Sequence, residues 1–234
     1  MTAPMLDDIP WQHLDTVLLD MDGTLLDLAF DTRFWLHTLP AHIAAVKGIS
    51  VDEATQRVIA HADRTRGTLD WYCLDHWTRS IGVDIRSVKQ TQSHLVRWLP
   101  GAEDFLRALQ RLPARRILAT NAHPFILAIK QAEVHVQRYF DRAITSHDFD
   151  APKEYPAFWS ALERSFGIDL SRTVLIDDSI NVLEAAQRAG VAYRIEIMRP
   201  DSEFGKAGRG ADHGLDAMEV DSVAEITDTV LAMG

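Results

Sequence analysis

Asp20 and Asp22 stand one residue apart at the end of a short apolar run, Thr16-Val17-Leu18-Leu19, and are followed by Gly23 and Thr24. Alternate residues of a strand share a face, so the two carboxylates project the same way while Gly23 lets the backbone leave the strand. Carboxylates crowded at the end of a buried strand repel each other unless a cation lies between them. A hard divalent ion with oxygen ligands meets that need. The pattern reads as a catalytic metal site, although Asp-x-Asp-Gly also occurs in surface turns and calcium loops.

Other reactive side chains follow later apolar runs. Thr120-Asn121 comes after Ile117-Leu118-Ala119, Lys153 lies in Ala151-Pro152-Lys153-Glu154, and Asp177-Asp178-Ser179 ends Thr173-Val174-Leu175-Ile176. Gathered at the carboxyl edge of one sheet, these groups suit metal-assisted phosphoryl transfer. Asp20 is then the candidate nucleophile, and Asp22 protonates the leaving oxygen before deprotonating water. Magnesium is expected on Asp20, the backbone carbonyl of Asp22 and the pair Asp177-Asp178. Thr120 and nearby N–H groups bind phosphoryl oxygens, and Lys153 supplies positive charge. Each residue also has a plainer reading: a helix N-cap for Asp177-Asp178, a solvated surface lysine for Lys153, a strand-to-helix turn for Thr120-Asn121.

The elements that must position these groups can be read from periodicity. Residues 16–19, 116–119, 142–145 and 173–176 read as buried parallel strands, with 192–197 as a fifth. Helical patterns at 101–112, 124–134, 156–166 and 180–189 alternate with the later ones. This rhythm predicts a Rossmann-like open α/β sheet. The stretch 28–99 breaks it: no strand is evident there. Ser50-x-x-Glu53 predicts a capping box opening a helix to about residue 63, with further helices over 69–81 and 85–97. The expected division is a core of 1–27 and 100–234 with an all-helical inserted domain of 28–99 between the first and second strands. The glycine-rich stretch 198–221 reads as a long loop before a final helix from Ser222.

The 234 residues are 47% hydrophobic, enough for a substantial core, and their 24 basic against 34 acidic residues leave a net charge of −10. That balance argues against a sequence-independent grip on nucleic acid or anionic lipid, so an anionic substrate must be held locally. Cys73 is the single cysteine, which excludes an internal disulfide. With no apolar run suited to a signal peptide or a bilayer span, a cytoplasmic protein is expected. The expected partner is a small-molecule phosphomonoester, with the chain a monomer or small homo-oligomer.

In the order Asp20-Met21-Asp22-Gly23-Thr24, Thr120, Lys153 and Asp177-Asp178, the chain resembles the haloacid dehalogenase superfamily of phosphohydrolases. The resemblance implies an aspartyl-phosphate intermediate at Asp20, general acid and base work by Asp22, Mg2+ as cofactor, and a helical cap in 28–99 that selects substrate. Longer strings at 15–31, Trp71-Tyr72-Cys73-Leu74-Asp75 and Thr120-Asn121-Ala122-His123-Pro124 resemble the bacterial GMP/IMP nucleotidase group. That further likeness implies hydrolysis of purine nucleoside 5′-monophosphates. Trp71 and Tyr72 are candidates to stack on a base, though an aromatic run with Trp77 also suits a helical core. Asn121 and His123 are candidate substrate contacts, and His123 is equally placed to precede a helix at Pro124. The histidines show no His-x-x-x-His spacing and read as surface or core residues. Alternative readings are a phosphatase for a sugar phosphate or phosphoglycolate, a dehalogenase, and a phospho-accepting signalling domain.

Overall fold

A computed structural model of the chain describes residues 5–205 and 215–233. The sheet has strands β1 (Thr16–Leu19), β2 (Arg115–Thr120), β3 (Arg142–Thr145), β4 (Thr173–Asp177), β5 (Tyr193–Ile197) and β6 (Met218–Val220). They are parallel and lie in the order β3-β2-β1-β4-β5-β6. The order reverses direction beside β1, and in open sheets such a switch point leaves a crevice at the carboxyl ends of the strands.

Helices cover both faces, which is why the strand sequences are continuously apolar. Val17, Leu19, Leu118, Val174 and Ile176 pack on one side, and Leu18, Ile117, Ala119 and Leu175 on the other. The alternation follows the two-residue period of a strand. Of the helices that follow β2, α8 (Pro124–Val134) joins the first side, and α9 (Pro156–Phe166) and α10 (Ile180–Ala189) join the second. The final helix is Ala224–Met233.

Among the described residues, those between β1 and β2 form helices and turns but no strand, as the sequence predicts. In chain order they include α1 (Ala29–Arg33), α2 (Leu39–Lys47), α3 (Val51–Thr65), α4 (Leu69–Tyr72), α5 (Leu74–Ile81) and α6 (Ile85–Gln90), with α7 (Ala102–Leu109) completing the passage to β2. A π-helical turn, Phe34–Thr38, joins α1 to α2. Pro40 follows it and brings no N–H to the ladder, which favours a local change of helical pitch. Ser50 Oγ accepts from the Glu53 N–H at 3.1 Å and caps α3, which runs two residues past the expected end.

Three expectations are corrected. The predicted helix over 69–81 is two helices broken at Cys73, whose backbone is extended; Trp77 Nε1 donates to the Trp71 carbonyl at 2.9 Å across the break. The helix expected over 85–97 stops at Gln90 and gives way to a 3-10 turn at Ser93–Leu95. The loop expected over 198–221 contains β6, paired through Ile195 with Met218. Three residues are too few to show a period, so edge pairing decides that strand rather than local pattern. The stretch 206–214 of that loop lies outside the described residues. Among the described residues, no helix is long and apolar enough to cross a membrane.

Candidate active site

Register brings the predicted groups together. Leu19 lies level with Leu118 on β2 and with Ile176 on β4, so the next residue of each strand reaches the same edge. Asp20 continues the pairing through its N–H to the Ile176 carbonyl at 3.0 Å. Thr120 ends β2 and Asp177 ends β4. Gly23 has φ +83°, and a Cβ there would meet Asp178 Oδ2 at 2.6 Å and Pro200 Cβ at 2.8 Å. The turn after β1 therefore needs glycine for conformation and for clearance.

Lys153 is not a solvated surface lysine. Its side chain is 2% exposed, and its ammonium donates to Asp20 Oδ1 at 2.5 Å, Asp177 Oδ2 at 2.7 Å and the Ala119 carbonyl at 2.9 Å. Burial works against this cation, but Asp177 and Asp20 outweigh it and hold the ammonium well above its usual range. Asp20 is raised to about 7, chiefly by burial; Lys153 pulls it down, and Asp177 and Asp22 push it further up.

Asp20, Asp177 and Asp178 each offer a carboxylate oxygen, and the three atoms lie within 4.8 Å of one another. One lysine does not neutralise three acids in a buried site, and hard oxygen donors in this number suit an ion such as Mg2+. The residues present therefore fit the expected cofactor. Asp177 Oδ1 also accepts from the Ser179 N–H at 2.9 Å, so Asp177 helps to open α10, where Ser179 is the N-cap. Its role as a helix-starting residue and its place in the acidic group coexist.

Thr120 and Asn121 likewise combine both readings. Thr120 Oγ1 accepts from the Ala122 N–H at 3.0 Å, shaping the turn into α8. Asn121 accepts the Lys153 N–H at 2.9 Å and donates to Glu154 Oε2 at 3.0 Å. His123 is the N-cap of α8, its Nδ1 accepting from the Phe125 N–H at 3.1 Å.

Several groups escaped the sequence reading. Lys130 of α8, 1% exposed, donates to Asp22 Oδ1 and, at 2.6 Å, to Asp31 Oδ2, while Lys89 of α6 pairs with Asp31 Oδ1. The Lys89 ammonium also lies 4.3 Å from the ring centres of Phe30 and Phe34. Burial raises Asp22 above the usual carboxylate range, against the pull of Lys130. Burial also raises Asp31, but Lys130 and Lys89 outweigh it and hold that carboxyl low. The available signal was a lysine on the apolar face of each helix, beside Ile126 and Ile129 in one and Ile85 and Val88 in the other. Glu154, which carries the Asn121 contact, also accepts the Tyr72 hydroxyl at 2.6 Å.

The strand-end groups, with Asp31 and Lys89, line a cavity of about 580 Å³ between the strand ends and the helical insertion. Its polar floor is Asp20, Asp22, Thr120, Lys153 and the Asp177-Asp178 pair; Trp35, Val58, Ile59 and Trp71 contribute an apolar wall. Trp71 thus lies at the cavity, as do Tyr72, His123 and Trp77, although Trp77, 2% exposed and 4.5 Å from the Trp35 ring centre, is otherwise packed in the core.

A family model for haloacid dehalogenase-like hydrolases matches residues 14–190. The GMP/IMP nucleotidase YrfG of Escherichia coli is 39% identical over 195 residues, covering 83% of this chain and 88% of that protein. A phosphoglycolate phosphatase of Pseudomonas syringae pv. tomato is 24% identical, over 75% of this chain and 66% of its own length. Among solved structures, a HAD phosphatase from Thermococcus onnurineus superposes with a TM-score of 0.76 at 21% identity, covering 93% of this chain and 98% of its own. The L-2-haloacid dehalogenase of Xanthobacter autotrophicus gives 0.64 at 13% identity, over 94% and 100% respectively, so the fold is shared with enzymes of different chemistry. Since the matched stretch runs from before β1 to the end of α10 and takes in all the strand-end groups, the chain belongs to the haloacid dehalogenase-like hydrolases.

Proposed function

We propose that the protein is a Mg2+-dependent phosphomonoesterase that hydrolyses purine nucleoside 5′-monophosphates, GMP and IMP foremost, through an aspartyl-phosphate intermediate. The observation that carries the chemistry is the buried Asp20 carboxylate, gripped by Lys153 at 2.5 Å and facing a cavity large enough for a small organic ester. Asp20 attacks phosphorus to form an acyl phosphate as the ester oxygen leaves. Asp22 gives that oxygen a proton and then takes one from the water that hydrolyses the acyl phosphate, which regenerates Asp20.

Lys130 orients Asp22 for both transfers, and Thr120 with neighbouring N–H groups holds the phosphoryl oxygens. Lys153 offsets charge on Asp20 and on the phosphoryl group. Mg2+ would be held by the carboxylates of Asp20, Asp177 and Asp178 with the backbone carbonyl of Asp22, and when bound it supplies positive charge against the phosphoryl oxygens.

The insertion of 28–99 acts in this reading as a cap domain over a core of 1–27 and 100–234. Its apolar contribution, Trp35, Val58, Ile59 and Trp71, suits a flat heterocycle better than the carboxylate of phosphoglycolate or the hydroxyls of a sugar. The higher identity to a GMP/IMP nucleotidase than to a phosphoglycolate phosphatase supports the same choice. Membership of a hydrolase family sets aside the signalling alternative.

The test is phosphate release from GMP, IMP, AMP, pyrimidine monophosphates, sugar phosphates and phosphoglycolate, with Mg2+ and with excess EDTA. Mg2+-dependent release concentrated on purine monophosphates is expected. Release mainly from sugar phosphates or phosphoglycolate would keep the chemistry and overturn the substrate.

A further inference from the structure

Where the helical insertion meets the core, a second set of donor atoms converges apart from the carboxylate group. Cys73 sits at the break between α4 and α5, His123 at the start of α8, and His147 in the 3-10 turn Ser146–Phe149 after β3. Each offers one ligand atom, and the three atoms lie within 4.8 Å of one another. The two imidazoles meet edge to face with ring centres 4.9 Å apart.

His147 supplies an independent observation. Both its ring nitrogens are buried, and neither has a hydrogen-bond partner. A neutral imidazole presents one donor and one acceptor, and leaving both unpaired away from water is costly, so the ring contact alone does not account for this placement. A ligand that accepts the acceptor nitrogen's lone pair removes half of that cost. Asp75 Oδ2, 3.9 Å from His123 Nε2, adds negative charge beside the group.

A thiol and two imidazoles are borderline-soft donors, unlike the all-oxygen set around Asp20, and they select zinc-like ions over magnesium. We propose that Cys73, His123 and His147 bind one divalent d-block ion of the zinc class, which ties the helical insertion to the core beside the substrate cavity. On binding, the Cys73 thiol releases its proton to solvent and the sulfur donates to the metal. Each imidazole donates one nitrogen lone pair, and a water molecule completes a four-coordinate site. His123 Nδ1 now accepts the Phe125 N–H at 3.1 Å, so ligation by this ring exchanges the α8 cap for a metal bond. The ligands are 50 and 24 positions apart in sequence, which is why no local histidine spacing announces the site.

The test uses the full chain, reduced and freed of metal, with excess Mg2+ to occupy the carboxylate group. Co2+ is titrated in as a spectroscopic probe. One equivalent per chain should give the near-ultraviolet thiolate-to-cobalt band and the intense visible bands of a tetrahedral ion, and Zn2+ should abolish both. Cys73→Ser should remove the thiolate band, and His147→Asn should weaken Co2+ binding at least about tenfold. Absence of the band in the native chain, or unchanged affinity in His147→Asn, would overturn the proposal. Should Cys73→Ser not fold, alkylation of the native half-buried Cys73 decides instead: Zn2+ should slow it, and an unchanged rate counts against the site.

Discussion

The Tyr72 hydroxyl donates to Glu154 Oε1 at 2.6 Å, joining the helical insertion to the loop that carries Lys153. Glu154 in turn accepts from Asn121, so one carboxylate links α4, the end of β2 and the Lys153 loop. Burial and the neighbouring Glu154 push the Tyr72 phenol well above its usual range, so it remains a donor throughout the neutral region. Tyr72→Phe removes this bond to a carboxylate with little change of shape. We expect a loss of about 1–2 kcal/mol in urea unfolding and a raised KM. An unchanged KM together with unchanged stability would show that the link carries no weight in solution.

Lys130 ties Asp22 to Asp31, and its removal separates orientation from ligand binding. Lys130→Met keeps the apolar stem and deletes the charge that holds Asp22. If Asp22 works as general acid and base, kcat should fall by about 100-fold, with a smaller change in KM. The expected partial rescue is by Lys130→Arg, which restores the charge at this buried position. Equal loss in both variants would indicate a packing effect.

Gly23 is held in place by conformation and by space. Gly23→Ala must adopt φ +83° and press a methyl group on Asp178 and Pro200. A cost of more than about 1–2 kcal/mol is expected from the backbone alone. Because Asp178 is the group displaced, the Mg2+ concentration needed for half-maximal activity should also rise. A variant with native stability and native Mg2+ dependence would contradict the close approach.

His61 makes stability depend on pH. Buried in α3 against Trp77, with ring centres 4.2 Å apart, its Nε2 has no hydrogen-bond partner. Burial lowers its pKa, with His76 and Arg64 adding to the effect and Asp70 opposing it. The unfolded chain therefore takes up this proton first as pH falls. The associated stability is full above about pH 6.5 and is lost as pH falls towards the lower folded value. His61→Leu should unfold at higher denaturant concentration than the native chain at pH 5, with a smaller difference at pH 8. The same difference at both values would exclude His61 as the titrating group.

Much of the core was legible before any coordinates. The runs at 16–19 and 173–176 are buried on both faces, so continuous apolar character identified them, and the reactive residue after each run marked the edge where they would meet. The helix punctuation at Pro124, Pro156, Gly167 and Gly190 also held, because each acts through local backbone geometry. The break at Cys73 and the strand Met218–Val220 were not legible: the first is spanned by a local bond from the Trp77 ring to the Trp71 carbonyl that periodicity does not announce, and the second depends on the β5 edge, distant in sequence.

Sequence by itself determined the chemical inventory: two acids one residue apart, a hydroxyl, a lysine and an acidic pair, each following a strand. A strand's alternation and its carboxyl end are local properties, so they can be read from local pattern. Only the tertiary structure decided which charges meet. Lys153 lies between Asp20 and Asp177, Lys130 reaches Asp22 across 108 positions, and Lys89 in the insertion faces Asp31. Such pairings are set by strand register and by the packing of the insertion on the core, because an ion pair depends on distance in space and on exclusion of water, neither of which a linear pattern encodes.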